Sequence, residues 1–209
     1  MIYLPNAFEQ TDREALYALI ESNGFATLIS PDATDPLLTH LPLLLERGRG
    51  AHGTLIGHCA RANPHWRRLE QQPTALAIFH GPHAYVSPSW YAVQPSVPTW
   101  NYAVVHAAGH ARLVHEAQAL EEITRRLVDT FESGRPQPWA YDLPEEFQQR
   151  MLGGIVGFEI EIRELRGKFK LSQNRTVEDR RRVAAALDEG DATERAVAHL
   201  MRARAMQER

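Results

Sequence analysis

The residues with the clearest chemical potential lie in two donor-rich segments, Gly57 to Trp66 (GHCARANPHW) and Gly167 to Arg175 (GKFKLSQNR). In the first, Arg61 offers a planar fork of N–H donors suited to phosphate oxygens. Asn63 stands where it can cap a helix opening at Pro64, whose first backbone N–H groups would point outward. A solvated arginine beside an ordinary cap would look the same, so this segment points to an anion only in company with the second. There Lys170, Ser172, Gln173, Asn174 and Arg175 add several donors in what reads as one loop. Together the two suggest a ligand with a phosphate and a polar edge. Neither is a P-loop, because no GxxxxGK followed by Ser or Thr occurs.

A third segment, Gly81 to His106 (GPHAYVSPSWYAVQPSVPTWNYAVVH), concentrates rings. Pro82, Pro88, Pro95 and Pro98 rule out a continuous helix, since each removes a backbone donor and restrains its predecessor, so extended strand and loop are expected. Tyr85, Trp90, Tyr91, Trp100 and Tyr102 offer flat faces that could stack on a planar ligand. The alternative is that the same rings plug the end of a barrel.

Nine of the ten histidines lie between His40 and His115. His58 and His106 fall on expected strands without the convergent carboxylates or cysteines of a zinc site, so most of these histidines read as hydrogen-bonded barrel residues and no metal is expected. Ser87 and Ser89 sit in a Pro-rich loop and not in a GxSxG elbow, which argues against a serine hydrolase. Cys59 is the only cysteine, which excludes an internal disulfide and suits strand packing.

The elements that must position these groups follow from periodicity. Thr11 with Glu14 reads as a capping box for a helix over about 12–22, with Leu16, Leu19 and Ile20 at helical spacing. Strands are expected over 25–30, 37–45, 54–59, 74–79, 102–114 and 155–165, with RGRG at Arg47 to Gly50 as a turn. Helices are expected over 64–72, 116–131 and 147–152. The 116–131 helix places Leu120, Ile123, Leu127, Val128 and Phe131 on one face, for packing against the barrel. Thr176 with Asp179 and Asp191 with Glu194 signal two further helices joined by an EGD turn. Ala184, Leu187, Ala196, Leu200 and Met201 would form a face docking onto the barrel. Short strands in a meander, with helices at the edges, indicate a mainly β fold: a small antiparallel barrel with peripheral helices.

At 209 residues with a net charge of −3, the chain suits one compact soluble unit and argues against wholesale electrostatic binding of nucleic acid. No apolar run approaches membrane-spanning length. The opening MIYLPNAFEQTDREAL lacks a cationic segment before an apolar core, so neither a membrane span nor a secretory signal is expected, and a cytoplasmic location follows. The C-terminal part is locally basic, with Arg180, Arg181 and Arg182 adjacent and Arg195, Arg202 and Arg204 beyond.

The sequence resembles the PaiB-like proteins, described as FMN-binding negative transcriptional regulators, of the flavin split-barrel group. The resemblance rests on MIYLPNAF, THLPLLLE, GHCARANPHW, GPHAYVSPSWY, VPTWNYAVVH and GKFKLSQNR, and spans nearly the whole chain. It departs at Asn6 and Ala7, where a histidine is expected before Phe8. It implies a split β-barrel of the FMN-binding type over 1–175 with a C-terminal helical appendage over 176–209, and a homodimer holding FMN near its interface. For such an FMN, Arg61, Lys170 and Arg175 are expected at the phosphate, and Thr27, Ser30 and His58 near the ring edge, with Trp100, Asn101 and Tyr102 completing the pocket. Asn63 and Gln173 would be further contacts.

Three functions compete. The resemblance implies a repressor, whose C-terminal arginines would contact DNA if the last two helices formed a helix-turn-helix. Those arginines would otherwise be the solvated side of a docked helix pair. The fold group also admits a flavin-dependent oxidoreductase; with no GxGxxG fingerprint, NAD(P)H would bind only transiently over the flavin. A haem protein is the third reading.

Overall fold

The computed structural model describes residues 2–32 and 34–207. Its strands are β1 (Glu9–Gln10), β2 (Phe25–Ser30), β3 (Leu37–Pro42), β4 (Leu44–Glu46), β5 (Thr54–Ala60), β6 (Thr74–Val86), β7 (Thr99–Val114) and β8 (Ile155–Lys170). The helices are α1 (Arg13–Ser22), α2 (His65–Gln71), α3 (Ala117–Glu132), α4 (Glu145–Gly153), α5 (Val177–Asp188) and α6 (Ala192–Gln207). The sheet path runs β3-β2-β6-β7-β8-β5-β4 without closing, and β1 pairs with β8. The registers of β1 with β8, β2 with β3 and β6, β4 with β5, and β5 with β8 are all antiparallel. No helix among the described residues is long and apolar enough to cross a membrane.

The chain gathers into two compact units, residues 1–19, 80–105 and 166–209 in the first and residues 20–79 and 106–165 in the second. The second holds most of the meander. Leu28, Leu43, Leu55, Ile56, Phe79, Phe158 and Ile160 are its fully buried core. Gly157 leaves room for α3: a Cβ there would lie 2.7 Å from Leu120 and 3.1 Å from Ile123. Leu120, Ile123 and Leu127 are buried as the helical period predicts, whereas Phe131, expected on the same face, is 46% exposed beside Gly24. The RGRG turn continues to Gly53; Gly50 and Gly53 have φ of 81° and 85°, a region that favours glycine.

In the first unit α1 lies on β8, where a Cβ on Gly167 would come within 2.1 Å of Leu16. Its N-cap is Asp12 rather than the expected Thr11: Asp12 Oδ1 accepts from the Glu14 N–H at 3.1 Å. Both expected caps farther on are present, with Thr176 Oγ1 accepting from the Asp179 N–H and Asp191 Oδ1 from that of Glu194. Helices α5 and α6 pack on each other through Val183, Ala184, Leu187, Val197, Ala198 and Met201. Val197 and Ala198 thus take the buried places expected for Ala196 and Leu200.

Two strands outrun their expected ends. β6, expected to end at residue 79, continues through Gly81 and Pro82 to Val86, and its register with β2 covers only Leu76 to Ile78. Beyond that register the donor missing from Pro82 breaks no ladder on that side. β8 runs on to Lys170, so Lys170 stands on strand and not in the loop predicted for it.

Candidate functional site

The period of two along β8 puts Lys168 and Lys170 on one face of the strand. Lys168 is 9% exposed; its Nζ donates to the Tyr3 carbonyl at 2.9 Å and lies 5.0 Å from the Tyr3 ring and 5.6 Å from the Tyr102 ring. Lys170 Nζ donates to Thr99 Oγ1 at 2.5 Å and to the Trp100 carbonyl at 2.6 Å, 5.8 Å from the Phe8 ring. Burial, and then the nearby charges of Lys168 and Arg175, hold the Lys170 ammonium below the usual lysine range. No carboxylate counters them: among the described residues, Lys168, Lys170 and Arg175 enter no ion pair. Three cations without a counter-charge make a local field that an anion would relieve.

The turn after β8 is built to aim Arg175. Ser172 has φ 64° and is the one non-glycine described residue with positive φ. It is held there by Asn101 on β7: Asn101 Nδ2 donates to Ser172 Oγ at 2.9 Å, and Ser172 Oγ donates to Asn101 Oδ1 at 3.2 Å. Gln173 Oε1 accepts from the Leu171 N–H at 2.6 Å and its Nε2 donates to the Phe169 carbonyl, while the Arg175 N–H returns to the Ser172 carbonyl at 2.9 Å. The Arg175 guanidinium lies 4.3 Å over the Tyr91 ring, with Nη1 3.5 Å from Ser96 Oγ. Asn101 is 0% exposed, and its amide is engaged with the Ser172 hydroxyl.

Beside these cations the rings form an open wall. Trp100, 53% exposed, has its ring centroid 6.2 Å from that of His83 and 6.1 Å, edge-on, from that of Tyr85. His83, Trp100 and Tyr102 line a groove of about 420 Å³. Tyr91, in contrast, is buried under Arg175, and its hydroxyl has no hydrogen-bond partner among the described residues.

The remaining predicted residues belong to the second unit. Thr27 Oγ1 meets His40 Nδ1 at 3.1 Å. Ser30 is buried and paired with His65 Nε2 at 3.0 Å, while His65 Nδ1 meets Thr39 Oγ1 at 2.8 Å. Asn63 donates to the same Thr39 oxygen and accepts from the His65 N–H, so it caps α2 as the sequence suggests. Ser30 and Asn63 are therefore occupied within this network. Arg61 donates from Nε to the Gly153 carbonyl and from Nη2 to the Ile155 carbonyl, tying the start of α2 to the α4–β8 junction. His58 is half-buried, with Nδ1 unpartnered among the described residues, and burial pushes its imidazole below the usual histidine range. No group of three His, Cys, Asp or Glu residues among those described could hold a metal.

The sequence gives no sign of Tyr3, Phe8, Thr99 or Ser96 at the site, and assigns Lys168 no role. The two-residue spacing of the lysines was the available signal for Lys168. The others are brought in by tertiary contact from distant segments, and no local pattern marks them.

The chemistry of this donor set suits a phosphate-bearing aromatic ligand, with cations for the phosphate and open rings for stacking. The family described as "Putative FMN-binding domain" matches residues 2–164. The chain is 37% identical over 179 residues to Protease synthase and sporulation protein PAI 2 of Bacillus subtilis, covering 85% of each. Among solved structures it is similar to the FAD and heme binding protein from Mycobacterium smegmatis, with TM-score 0.59 and 18% identity, over 88% of this chain and 80% of that one. It is also similar to the flavocytochrome Anf3 from Azotobacter vinelandii, with TM-score 0.57 and 17% identity, over 81% and 70%. At these identities the structural likeness shows the fold, a split β-barrel.

Proposed function

This chain belongs to the FMN-binding domain family, and from that premise we propose that it is a cytoplasmic, homodimeric PaiB-like regulator that binds FMN, with the flavin near the subunit interface. The observation that carries the flavin part is the cluster of Lys168, Lys170 and Arg175, which has no carboxylate partner among the described residues, beside the exposed ring of Trp100. Lys170 and Arg175 would hold the phosphate dianion, assisted by Lys168. Trp100 and Tyr102 would face the isoalloxazine ring, and Gln173 would keep the turn in shape. A bound flavin supplies a planar, reducible ring system, whereas the protein's part is binding, orientation and local charge.

Arg61 and Asn63 are engaged in their own unit and are assigned no ligand contact. The regulatory part rests on the PaiB resemblance. It is not routed through Arg181, Arg182 or Arg202, which are paired with Glu178 and Asp188.

The test is the visible spectrum of purified protein followed by titration with FMN and with riboflavin, which lacks the phosphate. Flavin bands or saturable FMN uptake, with riboflavin much weaker, are expected. A colourless protein that takes up neither would overturn the reading, and a Soret band would replace it with haem. A gel shift on the gene's upstream DNA, with and without FMN, tests regulation by direct DNA binding, and sedimentation tests the dimer.

A further inference from the structure

Asp179 is a buried carboxylate to which the proposed site gives no role. It sits in the first turn of α5, 1% exposed, and pairs with no cation among the described residues. Its Oδ1 accepts the Ala92 N–H at 2.7 Å and lies 3.4 Å from the Val93 N–H. A charged acceptor is well suited to this place, because the helix N-terminus favours negative charge and hydrogen bonds to a carboxylate are stronger than neutral ones. What it holds is the segment that cradles Arg175. Tyr91, immediately before Ala92, is 3% exposed and presents its ring 4.3 Å from the guanidinium, and Ser96 places its hydroxyl 3.5 Å from Nη1. The segment's other side-chain hydrogen bonds are internal, from Gln94 Nε2 to the Pro88 and Tyr91 carbonyls and from Ser96 Oγ to the Val93 carbonyl. Among the described residues, Asp179 accepts the hydrogen bonds that tie this segment to α5.

We infer that Asp179 is a positioning residue of the anion site, fixing the 91–96 segment so that the Tyr91 ring and the Ser96 hydroxyl hold the Arg175 guanidinium in place for a phosphate. The inference rests on the reading that Arg175 takes the phosphate of the ligand.

The test titrates FMN and riboflavin into Asp179→Ala, Asp179→Asn and Arg175→Ala, each checked by thermal melting. Asp179→Ala should weaken FMN roughly tenfold, the order of one charge-assisted phosphate contact, and leave riboflavin unchanged. Asp179→Asn keeps an acceptor oxygen for the two N–H groups and should recover most of the loss. An equal loss for both ligands, or a folded Asp179→Ala with undiminished FMN affinity, overturns the inference. Should Asp179→Ala fail to fold, Tyr91→Leu removes the face under Arg175 and must show the same FMN-selective loss, or the inference falls. If Arg175→Ala leaves FMN affinity intact, the phosphate assignment itself is wrong and the inference goes with it. If Arg175→Ala is selective and Asp179→Ala is not, only the inference fails.

Discussion

Replacing Ser172 by alanine and by glycine separates two opposing effects at the turn that carries Arg175. The residue has φ 64° and is buried, and its hydroxyl both donates to and accepts from Asn101. Alanine keeps the unfavourable φ and removes the hydroxyl, leaving the Asn101 carbonyl without that donor. Its Nδ2 retains the weaker contact to Met201 Sδ at 3.4 Å. Orphaning a buried polar group costs about 1 to 3 kcal/mol, so Ser172→Ala should lose about 2 kcal/mol. Glycine has the same hydrogen-bond deficit but no Cβ, and the left-handed region costs a non-glycine residue about 1 kcal/mol or more. Ser172→Gly should therefore lie about 1 kcal/mol above Ser172→Ala and still below the wild type. Urea unfolding followed by tryptophan fluorescence gives the three midpoints. An alanine variant as stable as the wild type would mean that the Asn101 pair contributes nothing; alanine equal to or above glycine would mean that φ carries no strain.

Three further outcomes follow from other parts of the chain. Glu159 is gripped by Arg49 and Arg112, and the Arg49 hydrogen bond, opposed by burial, holds its carboxyl below the usual range. Its stabilisation is present above the unfolded pKa of about 4.3 and is lost as pH falls through the lower folded value; Glu159→Gln should cost about 1 kcal/mol at neutral pH and flatten the acid limb of a stability–pH curve. Burial, with the Arg68 charge behind it, pushes the His65 imidazole down, and burial does the same at His58. The unfolded chain then binds more protons below about pH 6.5, so stability present above that pH declines below it. His58→Gln should remove one share of that slope, each up to about 1.4 kcal/mol per pH unit, as read from urea midpoints between pH 7.5 and 5. A Cβ on Gly109 would meet the Glu161 carbonyl oxygen at 2.1 Å, whereas one on Gly134 meets nothing within 4 Å. Gly109→Ala should lose roughly 3 kcal/mol or fail to fold, and Gly134→Ala should melt with the wild type.

Much of the fold was legible because it rests on local signals. The alternation of IVGFEIEIREL marked β8, the spacing of Leu120, Ile123 and Leu127 marked α3, and Thr176 and Asp191 marked the caps of α5 and α6. The misses are places where a neighbour decides. Pro82 reads as a loop residue, yet β6 continues past it because its pairing with β2 has already ended. Lys170 reads as a loop donor beside Ser172, yet it closes β8. At the site, the donor types of GKFKLSQNR were readable, but their division of labour was not. Asn101, Ser172 and Gln173 shape the turn, while Lys170 and Arg175 remain the cations. That division depends on contacts across about 70 residues of sequence, such as Asn101 with Ser172 and Lys170 with Trp100.

Charge pairing also distinguishes the arginines of α5 and α6 from the cations around Lys170. Three of the arginines on α5 and α6 that a DNA reading needs are half-exposed or more and already matched: Arg202 to Asp188 at 2.6 Å, Arg182 to Glu178 at 3.0 Å and Arg181 to Glu178 at 3.7 Å. Each would have to leave a carboxylate to meet a phosphate, for little net gain at an exposed site. Among the described residues Lys168, Lys170 and Arg175 have no such competitor, and they lie where burial already disfavours the Lys170 charge, so an incoming anion improves their electrostatics on arrival. A set of two or three partly buried cations suits one compact phosphate rather than a polymer backbone, and the salt response tells the two apart. A protein neutralising six or more DNA phosphates loses about a thousandfold in affinity between 50 and 200 mM salt. FMN held by this cluster should lose less than about tenfold over the same range, because partly buried pairs are screened little. A steep loss for FMN would move its phosphate out to exposed arginines and away from Lys170.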